Sequence, residues 1–140
     1  MATLFTKIID GDIPGVFVWR DDLCVSFLSI NPITPGHALV VPRAEIDHWL
    51  DLPETVTAHL GVVAQRIGRA QQAAFGCARV GLIVAGFEVP HTHLHVIPME
   101  HMGHLSFEHA ATSVTRAELD DSAARIRSAL GAAGESAVSD

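Results

Sequence analysis

The stretch VPHTHLHVIP, Val89 to Pro98, sets His91, His93 and His95 at every second position, with Thr92, Leu94 and Val96 between them. Successive side chains of a β-strand point to opposite faces. The pattern therefore predicts a strand with three imidazoles on one face and a buried ladder on the other. Spacing alone leaves three readings of the imidazoles open. They are a polar strand face in a chain with nine histidines, a metal site built from ligands two residues apart, or a nucleophile flanked by proton donors. No carboxylate stands at a usual metal-triad spacing beside them, although Glu88 and Glu100 flank the strand. In the third reading a neutral imidazole attacks phosphorus and carries the transferred group briefly, dividing one hard displacement into two easier ones. The far ring nitrogen must then be hydrogen-bonded so that the attacking nitrogen keeps its lone pair. Neighbouring imidazoles, about 7 Å away along the strand, would supply donors. The middle residue, His93, is the natural nucleophile.

Around this strand the chain reads as a mixture of helices and neighbouring strands. FTKIIDGDIPG is a short helical turn broken at Gly11 and Pro14, and VFVWRDDLCVSFLSI is a hairpin around Asp21 and Asp22. The punctuated loop NPITPGH delivers His37 to the start of ALVVP, an apolar run short enough for a buried strand. From Pro53 to Gly76, Val56, Leu60, Val63, Ile67, Ala70 and Ala74 recur at steps of four and three, the signature of a long amphipathic helix. RVGLIVAG and HTHLHVIP read as adjacent strands joined by FEVP. A last helix follows, in which Thr115 and Glu118 sit at capping-box spacing and Leu119, Ala123, Ile126 and Leu130 form an apolar stripe. The fold class is α+β, a mainly antiparallel sheet with one long helix and a C-terminal helix. Residues 1–131 are expected as one domain and residues 132–140 as a flexible tail.

Composition narrows the partners. A formal charge of −7 without a run of Lys or Arg argues against a nucleic-acid backbone and leaves room for a small phosphorylated ligand at a local site. No apolar segment approaches the ~20 residues that span a bilayer, and MATLFTKIIDGD lacks the apolar core of a signal peptide. Cys24 and Cys77 stand alone, which suits buried thiols in a reducing cytoplasm.

INPITPGHALVVP, followed about fifty residues later by HTHLHVIP, resembles the histidine triad (HIT) family, whose signature is His-x-His-x-His with apolar x residues. The likeness begins near Phe5, in FTKIIDGDIP, and ends at about Pro98, roughly two thirds of the chain. The resemblance implies a HIT-like fold and a nucleotide hydrolase or nucleotidyl transferase. Such an enzyme acts at the α-phosphate of a purine nucleotide conjugate: a phosphoramidate, an acyl-adenylate or a dinucleoside polyphosphate. His93 matches the family nucleophile, His95 the residue that contacts the α-phosphate, and His91 and His37 the histidines that orient the triad. Phe5, Ile8, Phe27, Ser29 and Ile30 match the nucleoside pocket, and each apolar one also reads plainly as core. The resemblance further implies a homodimer and no cofactor.

The departures from the family pattern matter. Ser29 stands where many relatives have Asp or Asn, which puts ribose contact in doubt. Phe87 replaces a frequent Gln, and Met99 a frequent Arg, so donors near the phosphate are lost. These three motivate an alternative, a nucleotide-binding or regulatory module with little catalysis, beside the metal-dependent hydrolase with His91, His93 and His95 as ligands. Relatives with structural zinc carry CxxC at the positions of Thr3 and Thr6 and a His at that of Glu45, so no metal is expected here. With few basic side chains, the site would hold phosphate by imidazole N–H groups and backbone amides. His101, His104 and His109 follow the signature in the region that borders the leaving group, whereas His48 and His59 are expected in solvent.

Overall fold

The hairpin around Asp21 forms in the computed structural model, which describes residues 1–140. Strand β1, Phe17–Arg20, pairs antiparallel with β2, Cys24–Leu28. The turn is held by one side chain: Asp21 Oδ1 accepts the Leu23 and Cys24 N–H groups, each at 2.8 Å, and Oδ2 accepts the Trp19 indole N–H at 2.8 Å. His59, expected in solvent, lies instead with its Nε2 2.7 Å from the same Oδ2 and ties the hairpin to the long helix. Burial opposes the Asp21 charge, but the bonds from Trp19, Cys24, His59 and Leu23 outweigh it and hold the carboxyl at about 2.

Strand β3, Ala38–Pro42, continues the sheet beside β2, and β5, Leu94–Met99, lies between β3 and the edge strand β4, Arg79–Ile83. Every pairing is antiparallel, in the order β1-β2-β3-β5-β4. All residues of β2 and β3 are buried, which fits their mainly apolar sequences, broken only by Ser26, and a sheet covered on both faces. One face carries Val18, Leu28, Val40, Leu94 and Val96 against α2, Glu54–Phe75, and α3, Arg116–Ala132. The expected helical stripe supplies Leu60, Val63 and Ile67 to this layer. Burial of each contributes on the order of 2 kcal/mol. Helix α2 ends at Gly76, whose φ of 63° is the left-handed cap conformation that glycine adopts without a Cβ clash. Thr115 caps α3 by accepting the Glu118 N–H at 3.1 Å, as the capping-box spacing predicted.

The other face carries Phe17, Phe27, Leu39 and His95 in one cross-strand row, fixed by the pairs Phe17–Phe27, Phe27–Leu39 and Leu39–His95. Helix α1, Leu4–Ile9, lays Phe5 and Ile8 over this row. That small second core becomes one wall of the site.

Two expectations are corrected. Only His95 of the three spaced histidines lies within β5. The connection from β4 runs through residues 84–93, longer than FEVP, because polar groups of this stretch bond elsewhere than to a ladder. The Thr92 N–H donates to Ile46 O at 2.8 Å, and the His91 N–H closes a tight turn on Val89 O at 2.8 Å. The segment after Gly131 is not a free tail. Helix α3 continues to Ala132, the Ser139 N–H donates to Val18 O at 3.3 Å, and Arg20 N–H to Ala137 O at 2.9 Å, so residues 137–139 line the outer edge of β1.

Candidate active site

Alternation in the sequence brings His93 and His95 to the same side, with ring centroids 4.9 Å apart, and both line a cavity of about 660 Å³. Phe5, Ile8, Phe27, Ser29 and Ile30 line it too. The Phe5 ring meets His93 edge-on at 4.9 Å, and Ile30 is 68% exposed at the rim. His91 and His37 do not line this cavity: His91 is buried behind it, and His37 borders an adjoining cavity of about 390 Å³ that also meets His109.

The ring protons follow from what each nitrogen faces. His93 Nδ1 lies 2.8 Å from the carbonyl of His91, which can only accept, so Nδ1 carries the proton and Nε2 keeps a free lone pair. His37 Nδ1 accepts the Ile33 N–H at 3.0 Å, so its proton is on Nε2 and points to His95 Nδ1 at 2.9 Å. His95 therefore carries its own proton on Nε2. The pair thus offers a bare nitrogen on His93 and an N–H on His95, side by side on the cavity wall. Burial holds His37 neutral down to about 4, and burial followed by the neighbouring His37 and His93 holds His95 neutral down to about 3.

The same accounting bears on a metal held by the triad. His91 spends both nitrogens, Nδ1 on the Thr3 hydroxyl and Nε2 on the Pro42 carbonyl, each at 2.7 Å. His93 Nδ1 and His95 Nδ1 are also spent, which leaves two free nitrogens rather than a converging set of three. Asp21, Cys24 and His59 bring an oxygen, a sulfur and a nitrogen within 4.8 Å of one another. There, however, Trp19 and His59 already turn to the Asp21 oxygen, and burial followed by the Asp21 charge pushes the Cys24 thiol upward, away from the thiolate a metal needs.

Loop 29–37 is pinned from both sides. Gln71 of α2 donates from Nε2 to Gly36 O at 2.9 Å and to Val96 O at 2.8 Å, joining the loop before His37 to the strand after His95. Gly36 has φ 89° and packs against the Phe75 ring, where a Cβ would stand 2.4 Å from a ring carbon. The Ser29 hydroxyl accepts the Asn31 N–H at 3.1 Å and so stabilises its own turn.

Several lining residues carry no signal in the sequence. Phe107 sits in a 3-10 turn and places its ring 4.9 Å from that of His95 and 6.4 Å from that of His37. Ala110, Ala111, Thr112 and Val114 close the same wall, anchored where Asn31 Nδ2 donates to Ala111 O and Thr112 O, each at 3.1 Å. Arg116, the first residue of α3, also borders the cavity, with its Nε donating to Asp120 Oδ1 at 2.8 Å. Conversely, Phe87 is 98% exposed and Met99 is packed in the sheet over Gly81; neither lines the cavity. His101 and His104 stack on each other at 4.0 Å and line neither cavity.

A family model described as HIT domain matches residues 10–102. An uncharacterized HIT-like protein of Borreliella burgdorferi is 35% identical over 102 residues, 68% of this chain and 73% of that protein. The adenylylsulfatase HINT3 of Arabidopsis thaliana is 33% identical over 100 residues, 68% of this chain and 51% of its own length. The crystal structure of a zinc-bound histidine triad family protein from Mycobacterium smegmatis is similar with a TM-score of 0.81 at 27% identity, over 96% of each chain.

Thr3, Thr6 and Glu45, the positions where the family resemblance implies zinc ligands in relatives, are a poor donor set for zinc. Thr3, Thr6, Glu45 and His91 converge, but two are hydroxyls and the hydroxyl protons are committed: Thr6 donates to Glu45 at 2.9 Å and Thr3 faces the His91 lone pair. These four residues fit a hydrogen-bonded knot, not a zinc site.

Proposed function

This chain belongs to the HIT family, and from that premise we propose that it is a hydrolase or nucleotidyl transferase acting at the α-phosphate of a purine nucleotide conjugate. One observation carries the reading. The His91 carbonyl fixes the proton of His93 on Nδ1 and leaves Nε2 bare on a cavity wall that also carries Phe5, Ile8 and Phe27. In the proposed reaction the Nε2 lone pair attacks phosphorus, a P–N bond forms, and the bond to the leaving group breaks with its electron pair. Water or another acceptor then attacks the nucleotidyl-imidazole, releases the nucleotide and returns the electron pair to Nε2. The N–H of His95 would bind an α-phosphate oxygen as negative charge builds there, while His37 and His91 hold the ring orientations. The apolar walls suit a purine.

Phosphoramidates, acyl-adenylates and dinucleoside polyphosphates are the candidate conjugates. The name of the plant relative adds adenylyl sulfate to the set worth assaying. Edge strand β4 has no neighbour on its outer side and Leu82 there is 55% exposed, which makes it our proposed homodimer edge. No helix is long and apolar enough to cross a membrane. The two free cysteines, both buried, agree with a cytoplasmic setting.

The test is His93→Gly and His93→Asn, assayed on adenosine 5′-phosphoramidate beside a binding titration with AMP. Turnover should fall by on the order of 10³-fold or more, with AMP affinity within a few-fold of the native protein. Mass spectrometry of the native protein during turnover should find a nucleotidyl adduct that the variants lack. Full turnover in either variant removes the mechanism. AMP binding without turnover by the native protein favours the nucleotide-binding module, which the use of the Ser29 hydroxyl within its own turn supports.

A further inference from the structure

We propose that residues 137–139 are an edge guard: they occupy the outer side of β1, so that a second copy of this chain can extend the sheet only at β4. The inference rests on the homodimer edge proposed above, and it concerns how many copies join rather than the chemistry at His93.

The two ends of the sheet are treated differently. An edge strand presents a row of N–H and C=O groups with which another extended segment can pair. β4 leaves its outer row open, and Leu82 beside it is 55% exposed. On β1 the Val18 carbonyl and the Arg20 N–H point outward, and both are taken. The Ser139 N–H donates to the first at 3.3 Å, and Ala137 O accepts the second at 2.9 Å. These two bonds flank an antiparallel pairing of Trp19 with Val138. Ala137 and Val138 are half-buried against the main core, where Val18 is fully buried and Trp19 is 3% exposed. Without residues 137–139, the two backbone groups of β1 would lack partners and this end of the core would lose part of its cover.

The approach to β1 is built into the end of α3. The Gly134 N–H donates to Gly131 O at 3.0 Å and the Glu135 N–H to Leu130 O at 3.1 Å, the paired bonds of a Schellman cap, with Gly134 at φ 83°. That left-handed residue turns the chain off the helix and back toward the sheet. Glu135 Oε2 then meets Arg66 Nη1 of α2 at 3.0 Å, and the Glu135 side chain is only 18% exposed. At the far end Arg20 Nη2 donates to the Asp140 carbonyl at 3.5 Å. The segment is therefore held at its start by α2, and along its length and at its end by β1.

Symmetry sets the consequence. Joining β4 to β4 uses the same edge of both copies and stops at two, whereas joining β1 to β4 leaves a free edge at each end and continues. Residues 137–139 remove the second option and leave the first.

The experiment compares the full chain with a chain that stops at Gly134, by light scattering and thermal melting, and measures backbone amide exchange in the full chain. The full chain should keep the mass of two copies from about 10 to about 500 µM, with the Arg20 and Ser139 N–H groups protected. The shortened chain should melt cooperatively, and its mean mass should rise about twofold or more over that range. Adding Leu82→Asp to the shortened chain should stop the rise, because β4 is the other half of the joint. A rise that continues there is unspecific aggregation and overturns the proposal. So does a shortened chain whose mass matches that of the full chain, or one without a melting transition, since the segment then belongs to the fold rather than guarding it. Unprotected exchange of the Arg20 N–H in the full chain overturns it without any variant. A full chain that stays at one copy counts against the homodimer edge instead, and the flat or rising mass of the shortened chain still decides the role of residues 137–139.

Discussion

His37 Nε2 lies 2.9 Å from His95 Nδ1, and because the Ile33 N–H occupies the other His37 nitrogen, the contact runs one way, from His37 to His95. A buried and a half-buried imidazole are thereby kept neutral in series, and the arrangement works only while neither ring gains a proton.

Acid should therefore weaken the fold earlier than carboxylate titration would. The unfolded chain takes up protons on these rings near the ordinary value of 6.5, whereas the folded chain resists until about 4 at His37 and about 3 at His95. Both values are lowered, so the stability they contribute is complete above 6.5 and is lost as pH falls from there toward 4. For His37 alone the loss is on the order of 3 kcal/mol at most. Urea unfolding at pH 7.5 and pH 4.5 should show the drop, and His37→Asn should shrink the difference between the two. An equal pH dependence in that variant contradicts the account.

Phe107 should act as a water shield for His95. Its ring stands 4.9 Å from the imidazole and belongs to the same cavity wall. Removing it in Phe107→Ala lets solvent reach His95, relieves the desolvation and raises the pH at which that ring titrates toward 6.5. NMR titration of the His95 ring protons measures this directly, and Phe107→Leu should move it less. An unmoved titration in Phe107→Ala would assign the shielding to other residues.

Gly36 should tolerate no side chain. Its φ of 89° disfavours every L-residue, and a Cβ would meet the Phe75 ring at 2.4 Å. Gly36→Ala is expected to cost about 2 kcal/mol or more in urea unfolding and to weaken AMP binding by displacing the adjacent His37. Gly76→Ala serves as the comparison, since its φ of 63° is also left-handed but nothing lies within 4 Å of the added carbon. That substitution should cost only about 1 kcal/mol and leave binding intact.

The architecture was legible where periodicity is strong. The α2 stripe, the hairpin at Asp21, the buried run ALVVP and the Thr115 cap all announced themselves through spacing or turn chemistry, and each is present. The triad residues were legible by their alternation, but the strand that carries them was drawn too early. Pairing of His91 and Thr92 with Thr3, Pro42 and Ile46 depends on segments distant in sequence, which no local pattern encodes. Phe107 and Arg116 carry no local signal for the same reason: one aromatic in an aperiodic stretch and one arginine at a helix start come to border the cavity only when residues 100–116 fold back over the sheet. Ser29, Phe87 and Met99 drew attention by their identities. In the structure only Ser29 borders the cavity.

The fold-back of residues 107–116 separates two kinds of change open to this chain. The imidazole protons are set by the Pro42 and His91 carbonyls and the Ile33 amide, all outside that stretch, whereas several other lining residues come from within it. Substitutions among Ala110, Thr112 and Val114 can therefore reshape the cavity while the imidazole arrangement stays as it is. Cavity shape and imidazole protonation can drift independently along the polypeptide, and this aperiodic stretch is where diversification costs least.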